Sequence, residues 1–254
     1  MSATAPNRPI RIAIEGNIGA GKSTCTNLIK EALGNVAVVT EPLNIWTALP
    51  NVLNPDEPIN MLDHYYQDQK KYAFPFQVLV QNSYTQKCLQ AESQRPIAIV
   101  TERTLASSAE IFSRVAVENG NLSVPEMAVL THHTNLLQDY FRHLLEYDLI
   151  IYLRCTPDQC YRRMRKRQRA EEQATVQLTY LETLDKAYEA WVAKGFAPLK
   201  ADKIAIVDNA GQTVGETRAS VLKEIQLDKL MLDHGFACES KENVNTGNVL
   251  REAV

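Results

Sequence analysis

Short apolar runs alternate with longer amphipathic ones along this chain. PIRIAIEG (9–16), NVAVVTEP (35–42), RPIAIVTER (95–103), YDLIIYLRC (147–155) and DKIAIVDN (202–209) are β-branched stretches of strand length. Each is bounded by Gly, Pro, Asn, Asp or Arg. They are nearly continuous in apolar character rather than strictly alternating, which predicts parallel strands covered on both faces. Between them the apolar spacing is helical: after Gly21, over 58–92, 104–118 and 124–146, after Thr156, and over 176–194 and 212–232. Pro75 predicts a break or kink in the 58–92 segment. Thr156 predicts a capping side chain ahead of Pro157, and Pro125 and Gly195 mark a helix start and a helix stop. The fold class that follows is α/β, a five-stranded parallel sheet flanked by helices. Residues 1–232 read as one domain, and 233–254 lose periodicity and read as a polar tail.

The first strand runs straight into Gly16-Asn17-Ile18-Gly19-Ala20-Gly21-Lys22-Ser23-Thr24, which matches G-x-x-x-x-G-K-[ST]. Glycines let such a backbone curl until its N–H groups face phosphate oxygens, and the helix that follows offers its N-terminus to the same anion. Lys22 is placed for the β/γ-phosphates and the Ser23 hydroxyl for Mg²⁺. The loop predicts ATP or GTP without saying which reaction. A guanine-reading N-K-x-D is absent, and Asp208-Asn209-Ala210-Gly211 comes too late in the chain for a switch segment, so it reads as a capped turn.

Charge changes this picture in one place. Residues 162–172, RRMRKRQRAEE, carry Lys or Arg at six of the first eight positions, the composition of a nucleic-acid patch. The whole chain of 254 residues has a net charge of −3, however, which argues against a general nucleic-acid role. Five scattered cysteines with no CxxC, and His132-His133 with no ligand-spaced partners, predict a reduced protein without a structural metal. No apolar stretch reaches membrane-spanning length, and MSATAPNRP is too short and polar for a secretory signal. The expected location is cytoplasmic, or mitochondrial if a transit peptide has been removed.

In a doubly wound sheet the site lies beyond the carboxyl ends of the strands. Those ends carry Glu15, Thr40-Glu41-Pro42 with Trp46 following, and Thr101-Glu102-Arg103. Glu41, Glu102 and Arg103 should therefore converge on the γ-phosphate, enough for a base, a metal ligand and a charge-stabilising cation. Gln77, Val80, Gln81 and Tyr84 share one helix face, as do Leu105, Ser108 and Phe112, and Leu62 lies one turn from Tyr66. Such stripes suit either a core or a slot for a planar ligand. Gln77 favours the slot, because a buried amide needs partners.

The ordered segments GNIGAGKST, TEPLNIW, KKYAFPFQ, TER and R-x-R-x-EE resemble the deoxyribonucleoside kinase family over about residues 10–210. That resemblance implies a P-loop kinase fold with a short lid at about 162–174, and transfer of the ATP γ-phosphate to a deoxyribonucleoside 5′-hydroxyl with Mg²⁺. It implies Glu41 as general base, Arg103 beside it, and Glu102 serving Mg²⁺. Gln77 would pair with the nucleobase edge and Phe112 stack on the base, with Trp46, Leu62 and Phe76 lining the pocket. Tyr66 and Glu172 would take the sugar 3′-hydroxyl. Arg165, Arg167 and Arg169 would close over the ATP phosphates. It also implies a homodimer packed through helices. The stripe Leu130, Leu137, Phe141, Leu144 suits that interface or the core.

Thr104-Leu105-Ala106-Ser107-Ser108-Ala109 departs from the family's usual Ser-x-x-Ser-Ala-Arg or Ser-x-x-Ser-Asp-Arg. The missing Asp and the small Ser108 lean toward thymidine and deoxycytidine, while Tyr84 is bulkier than the usual neighbour. A nucleoside monophosphate kinase of the thymidylate kinase type shares loop, sheet and lid, but it needs basic residues for the acceptor phosphate where this chain has Glu41. A non-catalytic nucleotide-binding scaffold would have no need of Lys22, Glu41, Glu102 and Arg103 together.

Overall fold

A computed structural model describes residues 8–169, 172, 175–212 and 214–225. The tail 233–254, the last helix beyond Ile225, and Glu171 of the basic run lie outside the described residues. The chain forms β1 (Ile10–Glu15), α1 (Lys22–Leu33), β2 (Val36–Val39), α2 (Leu43–Trp46), α3 (Met61–Gln67) and α4 (Gln69–Ser93). After β3 (Ala98–Glu102) come α5 (Leu105–Ser107), a π-helical turn (Ser108–Ser113), α6 (Arg114–Glu118) and α7 (Val124–Tyr140). The remainder is β4 (Glu146–Arg154), α8 (Pro157–Arg167), α9 (Leu178–Ala193), β5 (Lys200–Asp208) and α10 (Val214–Ile225). The sheet has five parallel strands in the order β2-β3-β1-β4-β5, in agreement with the α/β class expected.

β1 lies in the middle of the sheet and every one of its residues is buried. Ile12 and Ile14 join Val100, Ile150 and Ile151 in the main core. The glycine loop therefore opens at the centre of the carboxyl edge, with the end of β3 in register beside it (Ile14 opposite Glu102). Among the described residues no helix is long and apolar enough to cross a membrane. Cys25, Cys88, Cys155 and Cys160 are free and buried.

Several local expectations are corrected. The break in the 58–92 segment falls at Asp68, not at Pro75. Asp68 leaves helical geometry (φ −144°, ψ 81°) and its carboxylate accepts the Lys71 N–H at 3.1 Å, capping α4. Pro75 sits inside that 25-residue helix without ending it, although its ring has no N–H to donate to Lys71 O and crowds that carbonyl. Thr156 occupies the cap position of α8, yet its side chain makes no capping bond. Among the described residues the sheet is not covered on both faces throughout: edge strand β5 exposes Ile204 (40%) and Ile206 (45%). The stripe on and after α7 is core, with Leu130 and Leu144 buried and Leu137 and Phe141 packed on the clusters. The exposed apolar face of α7 is instead Val129, Leu136 and Tyr140.

Candidate active site

The loop after β1 is shaped by contacts only glycine permits. Gly16 has φ +147°, and a Cβ there would meet Leu153 O at 2.8 Å; Gly19 has φ +81° and faces the Cys160 carbonyl. Asn17 holds the loop from within. Its Nδ2 donates to Leu181 O of α9 (2.9 Å) and its Oδ1 accepts the Ile18 N–H (2.8 Å). The Lys22 ammonium donates back to Gly16 O (3.1 Å) and Asn17 O (2.8 Å). Burial lowers it to about 7, and Arg103 adds to the shift against Glu41, Glu102 and Glu15.

Two elements bring opposite charges to this loop. Glu41 follows β2 and accepts from Arg103 Nη1 at 3.1 Å; its other oxygen lies 3.5 Å from Arg169 Nη1. Arg169 and Arg167 then reach Glu172 at 2.7 and 2.5 Å, making one continuous ionic chain across the cavity mouth. Burial alone would raise the Glu41 carboxyl, but Arg103, Lys22, Arg169 and Arg167 outweigh it and hold the group below its ordinary value. Glu102 Oε2 accepts from Ser23 Oγ at 3.1 Å. Burial, with Glu41 behind it, raises the Glu102 carboxyl against Lys22 and Ser23.

Arg103 pays for its position with an uncommon backbone, φ +67° in a non-glycine residue. Its N–H donates to Ile14 O (2.9 Å) and its carbonyl accepts the Tyr84 hydroxyl. The next residue, Thr104, caps α5 and donates its hydroxyl to Glu15 Oε1 at 2.8 Å. Glu15 is fully buried; burial raises its carboxyl to about 7, with Thr104 and Arg103 opposing.

The other end of the cavity is lined mainly by neutral side chains. Gln77 Oε1 accepts the Ser108 hydroxyl at 2.9 Å, tying α4 to the π-helical turn. One turn on, Phe112 lies under the Arg103 guanidinium at 4.9 Å. Trp46 meets Phe76 edge-on at 5.5 Å and donates its Nε1–H to Ser83 Oγ at 2.9 Å. The Tyr66 hydroxyl is kept protonated by burial and then by the neighbouring Glu172 carboxylate.

Every residue expected around the acceptor lines one cavity of about 620 Å³, from Glu41, Trp46 and Leu62 through Gln77, Val80 and Tyr84 to Ser108 and Glu172. On the phosphate side Ile18, Gly19, Gly21, Lys22, Ser23 and Thr24 line it, whereas Gly16, Asn17 and Ala20 stand behind the loop. Arg165 does not line the cavity. Its guanidinium lies 6.0 Å over the Tyr161 ring. The R-x-R-x-R spacing puts three arginines together only on an extended chain. On α8, Arg163 and Arg167 share a face one turn apart, and both line the cavity. Arg163 Nη1 donates to Asn209 Oδ1 (2.7 Å) and Ala20 O (3.4 Å), and Asn209 Nδ2 also donates to Ala20 O. Sequence reasoning missed this clamp on the loop. Its only signal was Asn209 at a strand end, read as a turn. The turn itself is present, with Asp208 Oδ1 accepting the Ala210 N–H at 3.0 Å.

The comparisons with known proteins agree with one another. The family profile described as deoxynucleoside kinase matches residues 12–231. A mitochondrial deoxyguanosine kinase of Xenopus laevis is 33% identical over 196 residues, covering 72% of this chain and 73% of its own. Deoxycytidine kinase 2 of Gallus gallus is 30% identical over 227 residues, covering 82% and 85%. Mitochondrial thymidine kinase 2 of Macaca fascicularis is 32% identical over 187 residues, covering 72% and 64%. With a profile spanning most of its length and relatives of this similarity, the chain belongs to the deoxynucleoside kinase family.

Proposed function

We propose that this kinase transfers the γ-phosphate of ATP to the 5′-hydroxyl of pyrimidine deoxyribonucleosides, thymidine and deoxycytidine among them. The observation that carries this reading is the Arg103–Glu41 pair beside Lys22: a carboxylate kept ionised at the mouth of a slot lined mainly by neutral side chains. An ionised Glu41 accepts the proton of an incoming hydroxyl, and it would repel an acceptor that already carries a phosphate. Arg103 holds that carboxylate in place and offsets charge developing on the transferring group. Arg167, Arg169 and the loop N–H groups cradle the triphosphate, while Glu172 and Tyr66 take the sugar 3′-hydroxyl.

Gln77 reads the base edge and Phe112 covers its face. Ser108 offers no carboxylate for an exocyclic amine, which supports the pyrimidine preference. Ser23 Oγ and Glu102 Oε2, 3.1 Å apart, are hard oxygen donors that suit Mg²⁺. When bound there, Mg²⁺ neutralises charge on the donor phosphates. Val129, Leu136 and Tyr140 of α7 form the exposed apolar face expected at a homodimer contact.

Incubation with ATP and Mg²⁺ plus each of the four deoxynucleosides or dTMP, read by ADP release, tests the reading. Turnover with thymidine and deoxycytidine is expected. Turnover with dTMP alone would overturn it, and a purine preference would overturn the substrate ranking.

A further inference from the structure

One buried polar group in the cavity is not used by the mechanism above. Gln81 lies one helical turn beyond Gln77 on α4, is fully buried, and lines the same cavity. Its Oε1 pairs with the Thr134 hydroxyl of α7 at 3.0 Å, and its Nε2 has no hydrogen-bond partner among the described residues. The Thr134 hydroxyl also lies 2.8 Å from Leu130 O, and its single hydrogen serves one of the two acceptors. Turning the Gln81 amide over would put its carbonyl oxygen where the nitrogen now lies, so the ligand atom it takes is an acceptor or a donor according to that orientation. A buried amide atom without a partner is costly, which makes it a recognition group for whatever ligand atom satisfies it.

We propose that Gln81 is a specificity-determining residue that takes a hydrogen-bonding substituent on the nucleobase, beside the edge that Gln77 reads. The inference rests on the nucleoside-kinase reading. One turn of helix separates the two amides by about 6 Å along the axis, too far for both to meet the same edge atoms. On a pyrimidine paired through its 3,4-edge, the flanking carbon at which natural deoxynucleosides differ is position 5, where hydrogen, methyl or hydroxymethyl occurs. A methyl leaves the Gln81 amide unpaired. A hydroxymethyl carries both a donor and an acceptor and satisfies it in either orientation. The substrate class is therefore pyrimidine deoxynucleosides with a hydroxylated 5-substituent.

The test compares kcat/KM for 5-hydroxymethyl-2′-deoxyuridine and thymidine in the wild-type protein and in Gln81→Met, whose side chain has similar length and no amide. In the wild type the hydroxymethyl compound is expected to lead by about tenfold, the scale of one satisfied buried hydrogen bond. Gln81→Met should abolish that lead. A wild-type preference for thymidine overturns the proposal even if the variant fails to fold. A ratio unchanged by Gln81→Met also overturns it, since a residue that only shapes the helix would move both substrates together. Failure to phosphorylate any deoxynucleoside sinks the nucleoside-kinase reading and this inference with it; turnover of both compounds without the expected ratio sinks the inference alone.

Discussion

The two ends of the cavity are built on opposite principles. At the phosphate end, Arg103, Glu41, Arg169, Glu172 and Arg167 form one chain of opposite charges above Lys22. At the base end the polar contacts are between neutral groups, Gln77 with Ser108 and Gln81 with Thr134. Charge acts over distance and tolerates small displacements, so the first end suits a ligand whose charge moves during the reaction. Neutral hydrogen bonds act only at contact, so the second suits a ligand that must be told apart from near relatives. Damage at the phosphate end should therefore slow every nucleoside alike. Damage at the base end should change the ranking of nucleosides.

The largest effect should come from Glu41→Gln. Losing the base is expected to lower kcat by about 10²-fold or more for thymidine and deoxycytidine equally, measured by ADP release at saturating substrate. A drop confined to one nucleoside would break the division between the two ends. Gln77→Leu is the counterpart. It leaves Ser108 without its acceptor and the base edge without a partner. An expected loss of about tenfold or more in kcat/KM for the nucleoside, with KM for ATP unmoved, would sharpen the comparison. A matching rise in KM for ATP would blur it.

What could be read from the chain divides along a different line. The five strands, the glycine loop and the acids at the strand ends were legible because each is a local pattern with one physical cause. The ionic chain through Glu41 and Arg169 was half legible, since the residues were named while their pairing spans the whole site. The clamp of Arg163 and Asn209 on Ala20 O was not legible. It joins positions 46 and 189 residues apart through single hydrogen bonds that leave no periodic trace. The π-helical turn was read as an ordinary helix, because one added backbone step does not disturb an apolar pattern as short as 104–118. That Arg163 rather than Arg165 lines the cavity with Arg167 depends on the turn of α8, which a motif read along the sequence does not carry.

Proton linkage offers a smaller test of the phosphate end. Burial lowers the Lys22 ammonium to about 7, so the free enzyme loses that charge as pH rises through this value. The charged form receives the triphosphate, so kcat/KM for ATP should decline above about pH 7 by at most about tenfold per unit. Glu15, raised to about 7 by burial, gains negative charge in the same window and softens the decline. With phosphates bound, Lys22 keeps its proton, so kcat should stay flat over the same range. Glu41, held below its ordinary value, should add no acid limb near neutrality. Parallel declines in both parameters would show that the titrating group acts on chemistry rather than on ATP capture.

The smallest effect tests the seam between the two ends. Tyr84 shares the α4 face of Gln77 and Gln81, yet its hydroxyl donates to the Arg103 carbonyl. It thus fastens the base wall to a backbone at φ +67° whose side chain serves the phosphate end. Tyr84→Phe keeps the ring and removes that bond, leaving a buried carbonyl short of a donor. The expected loss is about 1 kcal/mol in unfolding free energy. A left-handed arginine freed on one side should also wander from Glu41. The variant should therefore lose a few-fold in kcat for all nucleosides, with their ranking kept, because the slot retains its shape. If the ranking shifts while kcat holds, Tyr84 acts on the base directly and the two ends are not joined through Arg103.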